Sequence, residues 1–165
     1  MKMLDGKAGI ITGGGSGIGR EAASLFAKNG AKIVICGRRE EPLKETVEIV
    51  ENEGGEICYF ACDVSVETQV KEMVAFAAEK LGGLDFAFNN AGVTSSKEVV
   101  GKLIHELPEG FAENMMAING FGILYCMKYE IPHLLEKGGT IVNTCSNASI
   151  YCSRAGTIYA ASKHA

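Results

Sequence analysis

Two hydrophobic rhythms alternate along the chain. Short runs of β-branched and apolar residues read as buried strands: Ala8 to Thr12, Lys32 to Cys36, Ile57 to Cys62, Leu84 to Asn89 and Thr140 to Thr144. Between them lie longer stretches whose apolar positions recur every three to four residues, as on one face of a helix. Gly17 to Asn29 is one such stretch, closed by Gly30. A second opens at Pro42, carries Leu43, Val47 and Val50 on one stripe, and ends at Gly54-Gly55. A third follows Ser65, a candidate N-cap, with Val66, Val70, Met73, Val74, Ala77 and Leu81 on one face and Gly82-Gly83 as its stop. Val93 to Glu106 reads as a loop. Pro108 opens a long helical stretch to Lys137, expected to bend near Pro132, and Tyr159 begins a last helix.

Strand and helix thus alternate as βαβαβαβαβ. That order predicts an α/β fold: a doubly wound parallel sheet with helices on both faces, three layers in all. The 165 residues suit one domain, and no linker or repeat divides them. With 47% hydrophobic and 22% charged residues the composition is that of an ordinary globular protein. A net charge of −4 and the lack of a Lys/Arg cluster argue against a nucleic-acid partner. No apolar run approaches a membrane span, and Asp5 falls where a signal sequence would need its apolar core, so a cytoplasmic protein is expected. The six cysteines, Cys36, Cys58, Cys62, Cys126, Cys145 and Cys152, form no C-x-x-C pair, and with three histidines they suggest reduced thiols and no metal site.

Candidate chemistry gathers at strand ends. Thr12-Gly13-Gly14-Gly15-Ser16-Gly17-Ile18-Gly19 links the first strand to the first helix. Glycines there permit a tight turn and close approach of backbone N–H groups to a pyrophosphate, and the helix N-terminus favours an anion. The second strand ends in Gly37-Arg38-Arg39, with no acid before Glu40. An acid at that place accepts from a ribose 2′-hydroxyl, whereas Arg accommodates a 2′-phosphate, so Arg38 and Arg39 point to NADP over NAD. Tyr159 and Lys163 stand four apart, on one face of a helix. A neighbouring ammonium favours a phenolate, which can exchange a proton with an alcohol or carbonyl. Ser146, at the end of the fifth strand, can hold a substrate oxygen. Asn119 lies in the long helical stretch with Gly120 and Gly122, which suggest either a kink with close backbone approach or tight packing alone.

Together these motifs resemble the short-chain dehydrogenase/reductase family along the whole chain. The glycine turn matches T-G-x-x-x-G-x-G, Asp63-Val64 matches the acidic pair that contacts adenine, and Asn89-Asn90-Ala91-Gly92 matches N-N-A-G. Asn119, Ser146, Tyr159 and Lys163 match the catalytic tetrad in type, order and spacing. The resemblance implies a Rossmann fold and a cofactor held by Gly13, Ser16, Gly17, Ile18, Gly19, Arg38, Arg39, Asp63, Val64, Asn90, Ala91, Gly92, Tyr159 and Lys163. It implies Tyr159 as general acid/base, Ser146 on the substrate oxygen, Lys163 on the nicotinamide ribose, and Asn119 anchoring a water in a proton relay. It also implies a carbonyl or alcohol substrate and a homo-tetramer or dimer. One departure is Cys145, where the family often has a second serine. The larger one is that family members continue with two more strands, a Pro-Gly segment and a substrate loop, so the domain is expected to be incomplete at its C-terminus. Two other readings stay open: a nucleotide-binding but inactive protein, and an epimerase or dehydratase using the same Tyr–Lys pair.

Overall fold

The computed structural model describes residues 2–94, 99–151 and 156–165. Five strands, β1 (Ala8–Thr12), β2 (Lys32–Gly37), β3 (Glu56–Ala61), β4 (Phe86–Asn89) and β5 (Thr140–Asn143), form one sheet. All neighbours pair parallel, in the order β3-β2-β1-β4-β5. The chain winds outward from β1 to β3, then returns to lay β4 on the other side of β1. The crevice above the ends of β1 and β4 is therefore the point where the winding reverses, where open α/β sheets bind ligands.

Helices cover both faces because the strands are apolar on both. Ile11, Ile33 and Ile35 point to α1 (Gly17–Lys28) and α2 (Glu40–Asn52), where Ala23, Ala27, Leu43 and Val50 meet them. Ile10, Val34 and Cys36 point the other way, to α3 (Glu67–Leu81) and α5 (Gly122–Lys137), where Val70, Met73, Val74, Cys126 and Leu134 complete a second core. The αβα sandwich expected from the sequence is this Rossmann-like arrangement. On the α1 side of β4 and β5 an open apolar trough of about 990 Å³ remains, lined by Leu25, Phe26, Phe86, Phe88 and Val142 among others. Among the described residues no helix is long and apolar enough to cross a membrane.

Several local expectations need correction. Ser65 is not a cap: its N–H (3.0 Å) and hydroxyl (2.7 Å) both donate to Asp63 Oδ1, and Val66 stands at the N-cap position. Leu84 precedes β4, which starts at Phe86. Pro42 lies within the first turn of α2, which begins at Glu40. The Pro108 stretch becomes helical only at α4 (Phe111–Met116), and the helical pattern runs on through Pro132. The irregularity lies earlier, in a π-helical turn over Ala117–Phe121. The final helix α6 spans Thr157–His164. Within the expected Val93 to Glu106 loop, residues 95–98 lie outside the described residues, and Ile104–Glu106 form a 3-10 turn. Cys36, Cys58, Cys62, Cys126 and Cys145 are free thiols; Cys152 lies outside the described residues.

Candidate active site

The β1–α1 turn is shaped by what cannot fit there. Gly13 has φ +69°, and a Cβ on it would stand 3.0 Å from Ala91 Cα. A Cβ on Gly19 would collide with the Gly13 carbonyl and come within 2.8 Å of Asn90 Nδ2. The turn thus lies against the loop that leaves β4, with no room for a methyl group. Ser16, Gly17 and Ile18 are exposed and carry the first backbone N–H groups of α1 outward. Arg20 braces the turn from behind: its Nη2 donates to Gly15 O at 2.6 Å and Pro42 O at 3.2 Å, and pairs with Glu45 at 2.9 Å.

Thr12 joins the two strand ends. Its Oγ1 accepts from Asn90 N (3.0 Å) and Ala91 N (2.9 Å), and Asn90 Nδ2 donates to Thr12 O (3.2 Å). Over this floor opens a cavity of about 210 Å³ lined by Gly13, Ser16, Arg38, Arg39, Asp63, Val64, Ala91 and Gly92, among others. Arg38 and Arg39 are exposed and enter no ion pair among the described residues. The acids that follow them are engaged elsewhere, for Lys44 pairs with Glu40 (3.5 Å) and Glu41 (2.9 Å). Asp63 is fixed by Ser65 on one side and by Gln69 Oε1, which accepts from its N–H at 2.8 Å, on the other. Cys62, also in the cavity wall, neighbours the buried Cys36 thiol and interacts with it. That interaction draws Cys62 below its ordinary value and, with burial, pushes Cys36 well above its own.

Gly13, Ser16, Ala91, Gly92 and Val93 also border a second cavity of about 330 Å³, whose other walls include Ile18, Asn90, Thr144, Tyr159 and Lys163. One groove therefore runs from the Arg38 corner to the Tyr159–Lys163 face of α6. Lys163 Nζ donates to Thr144 O at 3.0 Å, just past the end of β5. Asn119 is buried in the π turn. Its Oδ1 accepts from Val93 N (2.8 Å), and its Nδ2 donates to Val93 O (2.9 Å) and Ser162 Oγ (3.0 Å). Ser162 in turn donates to Tyr159 O at 2.8 Å. Asn119 thus ties the loop after β4 to α6. Packing alone does not account for the nearby glycines: the helix is irregular at Gly120, and a Cβ on Gly122 would lie 2.9 Å from Val64 Cγ2.

Not every expected residue meets in the groove. Gly17 and Gly19 shape the turn without lining either cavity, and Asn119 borders a neighbouring cavity of about 270 Å³ with Ser162 and Lys163. Ser146 lines neither half of the groove; its Oγ accepts from Ala148 N at 3.2 Å, capping the 3-10 turn Asn147–Ser149. Arg20, Thr144 and Ser162 are supports that the sequence did not single out, and Thr12 entered only as the first residue of the glycine-turn motif. For Ser162 the signal was its place one turn after Tyr159; for Arg20 no local signal existed.

Residues 7–165 match the short chain dehydrogenase family. The chain belongs to that family. It is 42% identical over 164 residues to short-chain dehydrogenase reductase 3a of Arabidopsis thaliana, covering 98% of this chain and 62% of the relative. It is 38% identical over 167 residues to 2,5-dichloro-2,5-cyclohexadiene-1,4-diol dehydrogenase of Sphingobium indicum, covering all of this chain and 64% of the relative. A short-chain dehydrogenase/reductase from Burkholderia phymatum, solved in complex with NAD, superposes with a TM-score of 0.91 at 33% identity, over 99% of this chain and 57% of that one. The chain thus spans about three-fifths of the length of these short-chain dehydrogenases.

Proposed function

We propose that this chain is the nucleotide-binding and catalytic part of an NADP(H)-dependent oxidoreductase acting on a carbonyl/secondary alcohol pair. The observation that carries the reading is the single groove in which the glycine turn, Arg38 and Arg39 lie at one end and Tyr159 and Lys163 at the other. The residues present suit a dinucleotide. The turn excludes side chains where a pyrophosphate would need backbone donors, and Asp63 offers a carboxylate oxygen toward an adenine amine. Arg38 and Arg39, in no ion pair among the described residues, offer planar donors to a 2′-phosphate, while Glu40 and Glu41 are held by Lys44.

A bound nicotinamide would supply or accept the hydride. Lys163 would donate to the nicotinamide ribose and Tyr159 would pass its phenolic proton to the substrate oxygen or take it back. Ser146 would hold that oxygen once its hydroxyl turns from Ala148. Asn119 would keep α6 against the loop after β4 and anchor a water toward Lys163. A homo-dimer or tetramer fits the row Phe121, Leu124, Ile131 and Leu135, all well exposed along the helix from the π turn through α5.

Fluorescence titration with NADPH and NADH tests the cofactor assignment. NADPH is expected to bind more tightly, and Arg38→Ala to weaken it by about 10- to 100-fold, the worth of one charge-assisted contact, with NADH little changed. Equal losses for both nucleotides would remove Arg38 from the 2′-phosphate.

A further inference from the structure

We infer that Glu130 is held as the neutral carboxylic acid and donates its proton to Asn89, so that acid and amide form a two-bond pair positioning the ends of β4 and β5. This depends on no assignment of cofactor or substrate. Glu130 sits in α5 with no exposed surface, beneath the end of β4. Asn89 Nδ2 donates to Glu130 Oε2 at 3.0 Å and to Asn143 Oδ1, in β5, at 3.1 Å, which uses both amide hydrogens. Two buried acceptors are then left without partners among the described residues, Asn89 Oδ1 and Glu130 Oε1. A single proton on Glu130 Oε1 would let the two orphans satisfy each other in one hydrogen bond. An ionised Glu130 would leave a buried charge with one donor and the Asn89 carbonyl with none, a costly arrangement.

The surroundings offer the charge nothing else. Glu130 joins no ion pair among the described residues. β4 and β5 meet it with the amides of Asn89 and Asn143, and α3 turns Val70, Met73, Val74 and Ala77 into the core that α5 covers. On its own helix the titratable neighbour is Cys126, whose thiol burial pushes far up, so that it stays protonated. Burial likewise pushes the Glu130 carboxyl up to about 7, the Asn89 hydrogen bond drawing only partly the other way.

The pair matters because the next residues are Asn90, in the groove, and Thr144, whose carbonyl holds Lys163. Glu130 is a positioning residue for both. Its folded value lies above the ordinary 4.5, so its stabilisation is complete below that value and is lost as pH rises through about 7.

Carbon-13 NMR of glutamate-labelled protein tests this directly. One carboxyl resonance should titrate near neutral pH and be absent from Glu130→Gln, while the others titrate below about pH 5. The melting temperature should fall between about pH 4.5 and about pH 7 more steeply than that of Glu130→Gln, whose amide supplies both donor and acceptor, and the two should run parallel at higher pH. If every glutamate titrates below about pH 5, the inference is overturned, and that readout stands even if the variant does not fold. Equal slopes for the two proteins would overturn it as well. NADPH titration of the same samples keeps the readings apart: binding that persists beside an ordinary Glu130 defeats this inference alone.

Discussion

The two ends of the groove are built on opposite principles. At the glycine turn, shape is set by missing atoms: a Cβ on Gly19 would strike the Gly13 carbonyl, and Gly13, at φ +69°, packs tightly against Ala91 in the loop after β4. At the α6 end, shape is set by polar groups that must be present: Asn119 reaches both Val93 and Ser162, and Lys163 reaches Thr144. The first end fails when a carbon is added and the second when a hydrogen bond is removed. A dinucleotide site needs the first kind of wall, because its ligand must approach backbone, whereas proton chemistry needs the second, because its groups must be aimed.

The largest test of this contrast is Tyr159→Phe. It removes one oxygen at the polar end and is expected to lower turnover of a carbonyl substrate by about 10²- to 10⁴-fold, while NADPH affinity changes by no more than about twofold. Steady-state kinetics beside a binding titration would check it, and a parallel loss of binding would show that the ends are not separable. Gly19→Ala strikes the other end. Overpacking against the Gly13 carbonyl and Asn90 should cost about 1–3 kcal/mol, seen as a lower melting temperature, with NADPH binding weakened by about tenfold or more. Unchanged binding would mean that the turn yields at no cost. The smallest effect is expected from Asn119→Leu, which strands the Val93 N–H and carbonyl and should cost about 1–3 kcal/mol of stability without altering nucleotide affinity. Urea denaturation and nucleotide titration on one preparation would separate the two.

The contrast also explains what could be read in advance. The sheet, its helical layers and the glycine turn follow from local rules: apolar period, glycine placement and strand–helix alternation. The supports of the polar end do not. Asn119 bonds Val93, 26 residues back, and Thr12 bonds Asn90 and Ala91 across almost half the chain. The Thr12 pair arises only when strands β1 and β4 become neighbours, and the Asn119 pair only when the π turn packs against the loop after β4. Glu130 reads in sequence as one more polar position on a helix, and only its place under Asn89 makes it a core residue. The π turn is hidden for another reason: one wider turn shifts the apolar period by less than a short helix can reveal. Ser65 misled because a serine just before an apolar stripe is a common cap, and Asp63 claimed its hydroxyl instead.

One hydroxyl anchors the loop after β4 to the sheet. Both N–H groups at Asn90 and Ala91 end on Thr12 Oγ1, and Thr12 itself is the last residue of the central strand and all but unexposed. Those two amides lie outside any ladder, yet their hydrogens are held by a buried side chain of the central strand, which slows their exchange with solvent. A stretch that looks like surface loop is thereby tied to the central strand, and the floor of the groove is held by the chain's own atoms.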